Sequence, residues 1–189
     1  TPYTIYSLRF FFEMAFYGYI CICQDCRGCG KSEGIWIPAE NERYDGADTL
    51  EYISAQPWCG NIGLTGSSYV ALCQLLMADI LPEKVKVLNI ENLSPYRYEM
   101  LYTNGVFHFE AYTGWTAYNT GIQNLPCAPD ELYEKFLSHR PPVTADTELL
   151  GVCLPWYRNW LEGVDKNSPA WTEGAYALVP DMTEKIKIP

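Results

Sequence analysis

Gly66-Ser67-Ser68-Tyr69 brings together a residue without a side chain, a hydroxyl and the start of an apolar run. That is the composition of a turn that presents a serine for nucleophilic attack. The chemistry sets the spacing. A serine that is to attack a carbonyl must stand clear of its own backbone on a tight turn. A side chain two residues earlier would strike that turn, and Gly66 occupies the place. A helix leaving after Ser68 would aim backbone N–H groups at a developing oxyanion. The G-x-S-x-G pattern also asks for a small residue two after the serine, where this chain has Val70. The same residues equally suit a plain Gly-Ser turn in which Ser67 or Ser68 caps the next helix.

Cys23-x-x-Cys26-x-x-Cys29 is the second group whose spacing carries chemistry, because convergent thiolates hold zinc or an iron–sulfur cluster. No fourth ligand follows at a familiar interval, although Cys21 is near. Cys23 also closes an apolar run, so a metal-free loop is expected, with no metal and no cofactor. The two histidines are His108 and His139. His108, in Val106-Phe107-His108-Phe109-Glu110, reads as a ring packed among aromatics, and His139 as a surface helix end; neither is assigned catalysis. Asp25, Arg27 and Ser32 are expected to fix a turn by hydrogen-bonding backbone and one another. Asp45 and Asp48 favour the first turn of a helix.

The elements that must position these groups follow from hydrophobic pattern. Tyr17–Cys23 reads as a buried strand, and Gly28, Gly30 and Gly34 as the loop after it. The pattern predicts a helix over Tyr44–Gln56, stopped by Pro57, and a strand over Asn61–Thr65. A helix over Val70–Leu81 and a strand over Val85–Ile90 follow. Strand, helix, strand, helix, strand implies an α/β class with a parallel sheet and right-handed crossovers. From Ser94 to about Met182 the strand signals fade. Pro129–Ser138 and Pro155–Leu161 read as helices within a mostly helical insertion. Ile186-Lys187-Ile188-Pro189 has the look of a strand beginning.

Composition narrows the function classes. The chain has 189 residues and a net charge of -10, with 13 Lys and Arg in all. Nucleic-acid binding needs concentrated basic side chains, so a nucleic-acid partner is not expected. No apolar run approaches the roughly 20 residues a spanning helix needs, so no membrane partner is expected. Eight cysteines in a chain large enough to bury a core suggest free thiols in a reducing compartment, the cytoplasm, rather than a disulfide framework.

The wider order of segments is more specific than the serine turn alone. Gly18-Tyr19 leads to Gln24-Asp25-Cys26-Arg27-Gly28-Cys29-Gly30-Lys31-Ser32-Glu33-Gly34. Asp45-Gly46-Ala47-Asp48-Thr49, Gln56-Pro57-Trp58-Cys59-Gly60-Asn61 and Gly66-Ser67-Ser68-Tyr69-Val70-Ala71 follow. This series resembles the cocaine esterase and Xaa-Pro dipeptidyl-peptidase family of α/β-hydrolases. The family's G-x-S-Y motif places its small residue where Ala71 stands, which accommodates Val70.

The resemblance implies an acyl-enzyme mechanism on a small ester, amide or peptide, with Ser68 as nucleophile. It gives one oxyanion donor to the backbone N–H of Tyr69. It gives the other to the hydroxyl of Tyr3, since Thr1-Pro2-Tyr3 matches the family's Asn-Pro-Tyr-like segment. The family's Asp (in a G-W-Y-D-like segment) and His (in a G-P-W-x-H-like segment) have no counterpart motif here. The expected organisation is therefore a truncated α/β-hydrolase-type parallel sheet with helices on both faces. Residues 1–93 would form the N-terminal core with the nucleophile turn. Residues 94–182 would form the helical cap, and 183–189 the start of the next core strand. The isolated chain is expected to be inactive. A non-catalytic binding module of the same fold, and a cysteine-ligated metal protein, are the alternatives.

Overall fold

A computed structural model describes residues 5–189. Helix α1 (Ile5–Phe16) opens the described chain, and α2 (Glu42–Ser54) follows a long irregular segment. The centre of the fold is β1 (Ile62–Ser67), α3 (Tyr69–Leu76) and β2 (Val85–Glu91). Strands β1 and β2 pair in parallel, with register from Ile62↔Val85 to Ser67↔Glu91 and one irregularity after Ile62. Parallel pairing forces a crossover connection, and α3 supplies it. Helix α3 buries Ala71, Leu72, Leu75 and Leu76, the i, i+1, i+4, i+5 spacing of one helix face. The molecule thus mixes helix and strand, a small parallel sheet among many helices.

Tyr17–Cys23 forms no strand. The segment is irregular, and Tyr17, Tyr19, Ile20 and Ile22 are exposed. Its composition suits a strand, but a strand exists only with a ladder partner, and none of the described strands lies beside it. The other expected elements lie at or near their expected bounds, except the strand expected from Ile186, where residues 186–189 are irregular. The helix expected from Tyr44 begins at Glu42, and the strand expected over Asn61–Thr65 runs Ile62–Ser67. At the far end the Leu88 N–H donates to the Pro189 carbonyl at 2.8 Å. Ile186 and Ile188 there pack against the cluster of Leu50, Met77, Val85 and Leu88.

Residues beyond β2 are mostly helical. Helix α4 (Arg97–Leu101) and a short antiparallel pair, β3 (Tyr102–Thr103) with β4 (Val106–Phe107), precede α5 (Phe109–Tyr118). Helices α6 (Pro129–Ser138), α7 (Ala145–Leu150), α8 (Pro155–Glu162), α9 (Pro169–Thr172) and α10 (Gly174–Glu184) complete it. Helix α6 carries Pro129 at its first position, Asp130 and Glu131 in its first turn and Lys135 in its last, each matched to the helix ends and their dipole.

An aromatic core holds this region. Trp156 and Trp160 meet edge to face at 4.8 Å, and Trp115 touches both. Such pairs contribute roughly 0.5–1.5 kcal/mol each beyond burial. Asp146, fully buried at the start of α7, joins α7 to α8. Its carboxylate accepts from Arg158 Nε and Nη2 at 2.9 and 2.8 Å, and from the Leu154 and Thr147 N–H groups at 2.7 Å.

The helical region is not separable from the sheet. Trp36, from the irregular segment before α2, packs on Trp115 and Trp156 at 5.8 Å. Val179 of α10 joins Leu72, Leu75 and Leu76 of α3 in one cluster.

Candidate active site

The turn between β1 and α3 holds the candidate nucleophile at the carboxyl end of the strand. Ser68 is exposed and has φ 55°, ψ -118°. A positive φ with this ψ is a region that a residue with a Cβ occupies only when its surroundings impose it. Two backbone bonds impose it. The Ser68 N–H donates to the Glu91 carbonyl at 3.0 Å, ending the ladder, and its own carbonyl accepts from the Leu72 N–H at 3.0 Å, starting the helix. The hydroxyl makes no cap bond to α3, so a capping role for the Ser68 side chain is not what this geometry provides.

Gly66 shows why the turn needs glycine. A Cβ there would lie 2.4 Å from Val70 Cγ1 and 2.6 Å from Val70 Cβ. The bulky residue at the position where a small one is usual is thus the one that forbids a side chain at Gly66. The first N–H groups of α3, Tyr69's among them, have no intrahelical acceptor and surround the same turn.

Tyr69 anchors the turn from below. Its ring packs on Trp36 and Trp115. Its hydroxyl accepts from the Ala39 N–H at 2.9 Å and donates to Glu42 Oε1 in a short hydrogen bond. The Trp36 indole N–H donates to the same oxygen at 3.2 Å. Burial, reinforced by the Glu42 charge, pushes the Tyr69 phenol far above its ordinary value, so it remains a neutral donor. Glu42, Trp36 and Tyr69 therefore form a buried bracket between α2, the loop and α3, directly beneath Ser68. Because Ser68 is held in a costly conformation, Ser68→Gly should stabilise this chain by about 1 kcal/mol, the relieved strain less the extra backbone entropy of glycine. Urea unfolding measures it, and an unchanged or lowered midpoint means the turn carries no strain.

The remaining residues singled out in the sequence fall as follows. Tyr3 lies outside the described residues. His108 Nε2 is 2.8 Å from Thr103 Oγ1, and His139 Nε2 is 2.9 Å from Thr144 Oγ1. Both sit in the helical region, and neither is hydrogen-bonded to Ser68. The Ser32 hydroxyl donates to the Asp25 carbonyl at 2.9 Å, as anticipated for the glycine loop, whereas Arg27 reaches out of the loop to pair with Asp45 through Nε at 2.9 Å. Asp45 is thus an ion-pair partner as well as a first-turn charge. Among the described residues no group of three Cys, His, Asp or Glu side chains is arranged to hold a metal, Cys23, Cys26 and Cys29 included.

Two residues carry roles that sequence reasoning passed over. Glu42 gave no local signal beyond its place at a helix start. Arg97 stacks its guanidinium over Trp160, Tyr176 and Tyr112 at 4.6, 5.0 and 5.1 Å. No carboxylate among the described residues pairs with it, and its Nε is buried without a partner. The nearby Tyr176 phenol is pushed up to about 12 by burial, despite the opposing Arg97 charge.

The chain is 28% identical over 170 residues to the cocaine esterase of Rhodococcus sp. (strain MB1 Bresler), covering 82% of this chain and 30% of that protein. It therefore spans about 30% of the length of the relative it matches. The model of the X-Pro dipeptidyl-peptidase (S15) family matches residues 6–189. With nearly the whole described chain inside that match, the protein belongs to the X-Pro dipeptidyl-peptidase (S15) family.

Proposed function

We propose that this chain supplies the nucleophile and part of the oxyanion site of a serine hydrolase of the esterase or peptidase kind, acting on a small ester, amide or peptide. The observation that carries the reading is Ser68 itself, an exposed serine on a positive-φ turn at the carboxyl end of a parallel strand, where helix α3 begins. Ser68 Oγ attacks the substrate carbonyl as a histidine base takes its proton. The tetrahedral oxyanion is held by the Tyr69 N–H and the Tyr3 hydroxyl. Collapse expels the alcohol or amine, protonated by the same histidine, and leaves an acyl group on Ser68 that water then removes.

Neither His108 nor His139 is assigned to the base, since each is bonded elsewhere in the helical region. In this reading the base and its carboxylate partner come from the whole protein. Residues 1–93 are its N-terminal α/β-hydrolase core and 94–182 its cap. Residues 183–189 lead from the last turn of α10 toward the next core strand, a placement that the bond from Leu88 to Pro189 favours.

Serine-reactive fluorophosphonate labelling tests the proposal. In the whole protein, peptide mapping should find the adduct on Ser68, and this chain alone should label negligibly. Absence of label from the whole protein, or an adduct on another serine, overturns it in favour of a binding module that retains the fold without the chemistry.

A further inference from the structure

Four non-glycine residues among those described have positive φ: Ala39, Ser68, Asn92 and Asn104. Asparagine tolerates that region, so Asn92 and Asn104 need no special support. Ala39, at φ 71°, and Ser68, at φ 55°, do need it. Both are coupled to Tyr69. Ser68 precedes it in the chain, and the Ala39 N–H donates to its hydroxyl at 2.9 Å. The two strained residues thus stand at opposite ends of one side chain.

The hydroxyl end is fixed through Glu42. Tyr69 donates its phenol proton to Glu42 Oε1, and the Trp36 indole N–H reaches the same oxygen at 3.2 Å. Burial keeps the phenol neutral, so the proton stays available to the carboxylate. Glu42 is itself buried, and it is the first residue of α2, where a negative charge is favoured. Its other oxygen, Oε2, is buried without a hydrogen-bond partner, which costs stability. Two strained backbones and one orphaned oxygen around a single side chain are expected where position matters more than stability.

We propose that Glu42 is a positioning residue for catalysis: through the Tyr69 hydroxyl it fixes the Tyr69 backbone N–H against the oxyanion that forms at Ser68. The inference rests on the hydrolase reading, in which that N–H is an oxyanion donor. Glu42 lies under the turn and acts only through Tyr69.

The link is short and stiff. A tyrosine side chain has only two χ angles between its hydroxyl and its backbone. Here the ring is also held from the sides by Trp36 at 5.6 Å and Trp115 at 6.0 Å. A phenol released from Glu42 can turn about both angles, and the strained turn above it can relax toward less costly backbone angles. A displaced oxyanion donor weakens the transition state and leaves substrate binding nearly untouched, because the full oxyanion is absent from the ground state.

Steady-state turnover of an activated ester by the whole protein tests this, with rates referred to Ser68 sites titrated by a fluorophosphonate. Glu42→Ala and Tyr69→Phe should each lower kcat by roughly 10- to 100-fold with KM little changed, the size expected when a reacting group is misplaced by up to about 1 Å. The double variant should be no slower than the slower single one, since both changes cut the same link. Glu42→Gln keeps an oxygen acceptor for the phenol and should recover most of the lost turnover. Where Glu42→Ala does not fold, Glu42→Asp replaces it: the charge stays at the start of α2, but the carboxylate falls one methylene short of the phenol, and kcat should drop as for alanine. A residue that served stability alone would lower the unfolding midpoint and leave kcat per titrated site unchanged, and that result overturns the proposal. So does a loss confined to KM, or a double variant whose losses multiply. The two readings fail separately. A whole protein that takes no label on Ser68 removes the hydrolase reading and this proposal with it, whereas full labelling with unchanged kcat in the variants removes the positioning role alone.

Discussion

Replacing Ser68 with alanine in the whole protein should lower turnover of an activated ester by at least about 10⁴-fold, since loss of the nucleophile leaves only binding and oxyanion stabilisation. The substitution should leave the bracket beneath the turn intact. Tyr69, Glu42 and Trp36 bond to one another and not to the Ser68 hydroxyl. The expected signature is a collapse of kcat with unchanged unfolding and little change in KM. Turnover within tenfold of wild type would remove Ser68 from the chemistry. Ser68→Gly should be equally inactive yet more stable, which separates the task of the hydroxyl from the cost of its backbone.

Asp146→Ala should be the most destabilising single change in the helical region, by about 3–5 kcal/mol, because it leaves Arg158 facing a buried site with no counter-charge and orphans two N–H groups. The effect should fade in acid. Burial opposes ionisation of Asp146, but the Arg158 guanidinium and the Leu154 and Thr147 N–H donors outweigh it and hold the carboxyl below its ordinary value. A depressed carboxyl contributes its stability above the unfolded-state value, about 3.9, and loses it as pH falls through the lower folded-state value. Urea unfolding of both forms at neutral pH and near pH 3 checks the sign. A gap that widens in acid would show that the carboxylate is not the stabilising species.

What could be read in the sequence was what short-range physics decides. The tight turn at Ser68 was legible because Gly66 and Val70, four residues apart, constrain it. Helix α6 matches its expected bounds, since Pro129 fixes its start and its charges match its ends. Tyr17–Cys23 failed for the opposite reason. An apolar run specifies burial or pairing only together with a partner that lies elsewhere in the chain. Glu42 was invisible because its meaning arises from Trp36 on one side and Tyr69 on the other, the latter 27 residues away. The glycine loop lies between these cases. Its hydrogen bonds from Ser32 to Asp25 were expected, whereas the longer reach from Arg27 to Asp45 was not.

Trp36 has a bearing on how anything reaches Ser68. It belongs to the segment before the sheet, yet it is wedged among Trp115 and Trp156 of the helical region. Val179 on α10 returns to α3, and Lys185 and Arg43 both reach Asp79. A region fastened through both its entrance and its exit cannot swing away as a rigid lid without tearing apart a shared apolar core. Sheet and helices should therefore lose their slow amide-exchange protection together, as one cooperative unit. Access to Ser68, already exposed on its turn, therefore does not wait on the helical layer opening as a body.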